Sequence, residues 1–368
     1  MSADLQIERE LLSPPGDTIQ ETLDEIGMSQ AELAERMGRP KEKVNGLIKG
    51  KEPLTMKTAV LLERVLHIPV RFWMERERKY REELTRIEQQ EFLESQSDWL
   101  LQFPLREMKK MGWLPDTRDR KKLVEALLKF FGVASSKEWE KIYLSDSLST
   151  AFKISLAHTK SPYALSTWLR IGELKAAEKD LNPYDEKGFK QVLDEIKNSL
   201  VMDQPEDFKE QLQALCAKHG VVVVYTPCLP KAPISGATWR KGGNPIIQLS
   251  GRYKTNDSFW FAFYHEAAHV LKHGRKEVFL EDLEGSPRDE QKEKEADQFA
   301  QKFLFPESAL KKLSATGKPT DQDIQDYAQK YHTHPAIIVG QLQHRGMLSY
   351  REKNHFKVAV EITAISQA

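Results

Sequence analysis

Cysteine is scarce in this chain: Cys216 and Cys228 are the only two among 368 residues. They are not spaced as Cys-x-x-Cys, and two isolated thiols cannot build a disulfide framework, so they read as buried or free thiols in a reducing compartment. Long apolar runs are missing too. No stretch reaches eighteen consecutive apolar residues, and no charged-then-apolar start marks a signal peptide, so neither a membrane span nor export is expected. Charge of one sign is likewise absent. The 55 basic and 55 acidic residues cancel, which excludes a chain-wide nucleic-acid signature and leaves any DNA contact to a local patch. These absences predict a cytoplasmic protein, long enough for two or three domains with their own cores.

What is present is concentrated in His265-Glu266-Ala267-Ala268-His269, set in the apolar run Phe259–Leu271. Histidines four apart on a helix point the same way, about 6 Å apart along the axis. That spacing lets both hold one zinc ion through neutral ring nitrogens. Glu266 beside them can reach a water polarised by the ion, which is the machinery of peptide hydrolysis. A buried core helix with two satisfied histidines is the alternative. Three features argue for the metal: Asp257-Ser258 as an N-cap with Gly274 as a C-cap, an apolar surface that buries Glu266, and acidic residues downstream.

Those residues lie in Gln291–Pro306, where Ala296, Phe299, Ala300, Phe303 and Leu304 predict a helix packed on the first. Glu293 and Asp297 share a face, so Glu293 is the expected third ligand and Asp297 the acceptor for a ligand histidine's second N–H. Glu295 competes for the metal but points about 200° round the helix from Glu293. His273 is left out, because three histidines on one straight helix would span about 12 Å. His332, His334 and His344 are candidates to donate to a transition-state oxyanion.

His-Glu-Ala-Ala-His-Val-Leu-Lys-His, then Glu-Lys-Glu-Ala-Asp-Gln-Phe-Ala and Phe-Leu-Phe-Pro, resemble the ImmA/IrrE family of zinc metallopeptidases over roughly residues 205–350. The likeness extends to Val221–Thr226, to the hairpin-like Ile234–Arg240 and Pro245–Ser250, and to His334–His344. It implies a small gluzincin-like fold in which a few strands lie beside two zinc-binding helices. It also implies an endopeptidase that cleaves helix-turn-helix repressors and so switches on stress or mobile-element genes. A substrate strand is expected to add beside Pro245–Ser250.

The N-terminal residues 1–74 read as closely spaced helices. Ser29 caps Gln30–Met37 with Glu32 completing a capping box, Gly38 ends that helix, and Pro40 opens Lys41–Lys49. Two helices joined by a tight glycine-containing turn form a helix-turn-helix, whose second helix enters the major groove. Gln30, Arg39, Lys41, Lys43, Asn45 and Lys49 are the expected DNA contacts, with Val44, Leu47 and Ile48 facing inward. The segment from Ser13 to Trp73 resembles the HigA-type antitoxin branch of the Xre family. That resemblance implies a homodimer on a palindromic operator.

Residues 75–94 predict an exposed connecting helix or a dimer helix, and residues 95–204 a helical middle region anchored by Trp99, Trp113, Trp139 and Trp168. Residues 205–368 complete the peptidase domain, with a helix pair at Thr320–Tyr331 and Pro335–Gln343 and a final strand over Phe356–Ile362. The expected fold is mainly α with a small β-sheet (α+β): an all-α helix-turn-helix domain, a helical middle and a gluzincin-like peptidase domain. The expected function is a DNA-binding regulator carrying a Zn2+ endopeptidase for a protein partner, such as a repressor. The alternative is an antitoxin-like autorepressor that binds operator DNA and a toxin, its zinc site structural or idle.

Overall fold

Residues 3–144, 160–179, 182–273, 279–280, 290–315 and 317–363 are described by a computed structural model of the chain. The expected C-cap Gly274 lies outside them. Two compact units emerge, one formed by residues 1–100 with 117–125, the other by 101–116 with 126–368. The described chain is mainly α with one small sheet, as expected.

The first unit contains α1 (Ala3–Glu10), α2 (Pro15–Ile26), α3 (Gln30–Arg36), α4 (Lys41–Ile48), α5 (Met56–Leu66), α6 (Val70–Ser95) and α7 (Ser97–Leu100). Its core gathers Ile19, Leu23, Leu33, Val44, Leu47, Leu62 and Trp73. These are the inward positions that helical periodicity selects. The Ser29 hydroxyl accepts from the Glu32 amide at 3.1 Å. The capping box is only half made, however, because the Glu32 carboxylate turns to Arg36 at 2.7 Å. A complete box forms instead at Thr320 and Asp323. The helix predicted over residues 75–94 begins earlier, at Val70, because buried Trp73 joins it to the core.

The second unit takes in α8 (Leu105–Lys110), α10 (Ser136–Tyr143), α11 (Pro162–Ala177), α12 (Glu186–Ile196) with a π turn over Lys197–Val201, and α13 (Phe208–Lys218), with α9 (Arg120–Phe131) preceding α10. Then come β1 (Val222–Tyr225), β2 (Gly236–Lys241), β3 (Asn244–Leu249), α14 (Asn256–Lys272), β4 (Phe279–Leu280), α15 (Glu290–Leu304), α16 (Glu307–Ser314), α17 (Asp321–Lys330) and α18 (Pro335–His344). Trp139 and Trp168 are fully buried and Trp99 nearly so, whereas Trp113 is half-buried. The Trp168 indole donates to the Thr226 carbonyl at 3.2 Å, which ties α11 to the sheet.

Among the described residues the sheet runs β1-β3-β2-β4, with β1 parallel to β3 and the other pairs antiparallel. β2 and β3 form the expected hairpin, closed by Gly242 at φ 57 and Gly243 at φ 94. Two successive positive φ values match the twist of the strands, and glycine adopts them without steric cost. β3 is paired on both sides, so a substrate strand cannot add beside Pro245–Ser250 as the sequence suggested. The last segment also departs from expectation. Residues 356–362 form no strand; a short 3-10 turn at Asn354–Phe356 leads to a single bridge between Thr255 and Ala359.

α14 is the central helix of this unit, with Phe259, Trp260, Phe263, Tyr264 and Ala267 in the core. It starts at Asn256, with Thr255 rather than Asp257-Ser258 in the N-cap position. The chain after α18 holds that start. The Asn256 amide donates to the Val358 carbonyl at 2.9 Å, and the Val360 amide donates to Lys254 at 3.0 Å. Lys357 meets the buried Asp257 carboxylate at 2.7 Å. α15 packs against α14, and its facing residues Ala296 and Ala300 are fully buried. Small side chains there let the two backbones approach closely.

Candidate metal centre

α14 brings the two motif histidines to one buried point. The Nε2 atoms of His265 and His269 lie 3.0 Å apart, and each residue is 2% exposed. α15 adds Glu293, with one carboxylate oxygen 3.3 Å from His265 Nε2 and the other 3.6 Å from His269 Nε2. One ligand atom from each lies within 4.8 Å of the others. Zinc bonds of ~2.1 Å in a tetrahedron separate neighbouring ligand atoms by roughly 3.4 Å. The observed spacings straddle that value, so the donor set fits a divalent metal of this size.

Glu293 and Glu295 stand in different surroundings. Glu295 faces away from the cluster and sits on His273, with its Oε2 3.4 Å from His273 Nε2. Asp297 lies where a second-N–H acceptor is needed, with Oδ1 2.9 Å from His265 Nδ1. Burial, reinforced by the neighbouring His265 and His273 rings, pushes the His269 pKa down to about 2. That keeps the imidazole neutral, the form that binds a metal.

Glu266 is fully buried beside the cluster. The Thr238 hydroxyl donates to its Oε2 and also comes within 3.3 Å of its main-chain carbonyl. Gly236, two residues earlier on β2, lies so close that a methyl group there would be 2.5 Å from Glu266 Oε1. Neither residue was identified from the sequence. Their signal is a strand pairing some thirty residues before the motif, which no local pattern discloses. Of the proposed oxyanion donors, His334 has its Nδ1 accepting from the Ala336 amide at 3.1 Å as the N-cap of α18. His344 lines a cavity of about 330 Å³ together with Phe261 and Ala262, one turn before His265.

In the first unit, Val44, Leu47 and Ile48 face inward as expected. Arg39, Lys41, Lys43 and Lys49 are exposed, and Lys43 is 2.7 Å from Glu52. Gln30 and Asn45 bond to one another at 3.3 Å, and Gln30 also donates to Gln20 at 2.6 Å. These amides therefore lock α2, α3 and α4 together.

The arrangement defines a class: a helix-turn-helix module in one unit and, in the other, a metallopeptidase-type site of two helices beside a short sheet. The family comparisons agree. Residues 19–73 match the helix-turn-helix family model, and residues 216–339 match a peptidase family model described as an IrrE N-terminal-like domain. No curated protein sequence matches the chain. The chain thus carries a helix-turn-helix segment followed by a segment similar to IrrE-like peptidase domains. Among the described residues no helix is long and apolar enough to cross a membrane.

Proposed function

We propose that this protein is a DNA-binding regulator whose second unit is a zinc endopeptidase acting on a specific protein partner, such as a helix-turn-helix repressor. The observation that carries this reading is the convergence of His265, His269 and Glu293 at tetrahedral spacing beside the buried Glu266. Zinc, when bound, supplies Lewis acidity to the water and the peptide carbonyl. Glu266, oriented by Thr238, takes the proton of the attacking water. It returns that proton to the amide nitrogen as the C–N bond breaks. Glu266→Gln is the test: the variant should bind zinc like the parent and leave the partner uncut. Cleavage that persists in this variant would rule out the catalytic assignment.

A second reading draws on the helix-turn-helix match over residues 19–73. Here a homodimer represses its own operator and binds a toxin, and the zinc is structural. The readings separate in cells. Under the first, Glu266→Gln raises the level of the partner; under the second, it changes neither partner level nor repression.

A further inference from the structure

His273 is a buried histidine that the metal cluster does not use, and its surroundings give it a defined task. α14 ends at Lys272, and His273 adopts an extended backbone at φ −107 and ψ 148. Leaving the helical path frees its ring to fold back toward His269, and the ring centroids are 4.9 Å apart. His273 Nδ1 lies 2.8 Å from His269 Nδ1. Its other nitrogen faces Glu295 Oε2 at 3.4 Å. The His273 side chain is 3% exposed.

We propose that Glu295 and His273 are positioning residues that fix which nitrogen His269 presents to the metal. The inference rests on the zinc-site reading above. Two ring nitrogens 2.8 Å apart need one hydrogen between them, since two would clash and none would leave facing lone pairs. If that hydrogen belongs to His269 Nδ1, His269 Nε2 carries the lone pair turned toward His265 and Glu293. His273 then accepts at Nδ1 and bears its own hydrogen on Nε2, directed at the Glu295 carboxylate. All three groups are satisfied in this arrangement. The reverse tautomer of His269 would place a hydrogen on the Nε2 that lies 3.0 Å from His265 Nε2; with a metal held there both Nε2 lone pairs would face the ion, so that pair needs no hydrogen between them. The two ligand histidines are therefore backed differently by α15: His265 directly by Asp297, and His269 by Glu295 through an intervening imidazole. Outer partners of this kind set ligand orientation and metal affinity.

The test is zinc affinity of the full chain, measured by competition with a chromogenic chelator. His273→Phe fills the space without an acceptor and should weaken zinc binding by about 10–100-fold. His273→Gln restores an acceptor and should recover most of that loss, which a purely structural role would not require. Glu295→Gln should cost less than His273→Phe. Equal affinity in His273→Phe and the parent would overturn the proposal. Histidine-selective 15N NMR of the zinc-loaded parent chain gives an independent readout. A hydrogen on His269 Nδ1 and on His273 Nε2 supports the relay, and a hydrogen on His269 Nε2 overturns it. A parent chain that binds no zinc would fail the zinc reading; in that chain a hydrogen on His273 Nε2 would leave the relay standing, and one on His273 Nδ1 would overturn it.

Discussion

Thr238 and Gly236 confine Glu266 from the β2 side, one by a hydrogen bond and one by having no side chain. Thr238→Val removes the donor at nearly constant volume. It should lower kcat/KM about tenfold, the equivalent of one hydrogen bond of about 1.4 kcal/mol, with zinc content unchanged. Gly236→Ala forces the carboxylate aside. A displacement approaching 1 Å costs on the order of a hundredfold in rate, and steady-state kinetics with metal analysis would detect it. His334 supplies a pH prediction. Burial holds its pKa below the ordinary 6.5, so the unfolded chain takes up this proton more readily than the folded one. This contribution to stability is complete above about pH 6.5 and declines as the pH falls from there toward the folded-state pKa. His334→Asn keeps a capping side chain without the titration. Its melting temperature should match the parent at pH 7.5 and fall less steeply toward pH 5; an identical acid decline would count against the assignment.

At the scale of elements, the proposed metal site depends on how closely α15 approaches α14. Ala300 is fully buried and shares a core with Ala267. Ala300→Leu overfills the space and should cost about 1–3 kcal/mol of stability. It should also weaken zinc binding by moving Glu293 off its position, which chelator competition would read. The same scale explains what the sequence disclosed. The His265–His269 spacing was legible because helical geometry fixes it. Glu293 could be favoured over Glu295 because an angular offset on α15 is equally fixed. Thr238 and Gly236 were illegible because strand register, not local spacing, brings them to Glu266. His273 was left out as a ligand, and the metal-spaced set does not include it; its place behind His269 was illegible because the helix stops one residue before it. The strand expected beside β3 failed because parallel pairing with β1, a non-local contact, already fills that edge.

For the whole molecule, the two units imply two kinds of measurement. Zinc that binds only the folded second unit should stabilise it by about 2.7 kcal/mol at a hundred times its Kd, so chelation should lower the melting temperature of that unit. Operator binding by the first unit should weaken as salt rises, because phosphate contacts release counterions. Lys41→Ala should reduce the salt slope by about one. Lys43→Ala, whose ammonium is already held by Glu52, should change it less.

The grip of residues 357–360 on the start of α14 has a consequence in time. A ribosome makes His265 and His269 about ninety residues before Lys357, Val358 and Val360. Until those residues emerge, the motif helix lacks the amide and carbonyl partners at its first turn and the cation on Asp257. A nascent chain therefore carries the whole His-Glu-x-x-His motif before it carries the clasp that seats it.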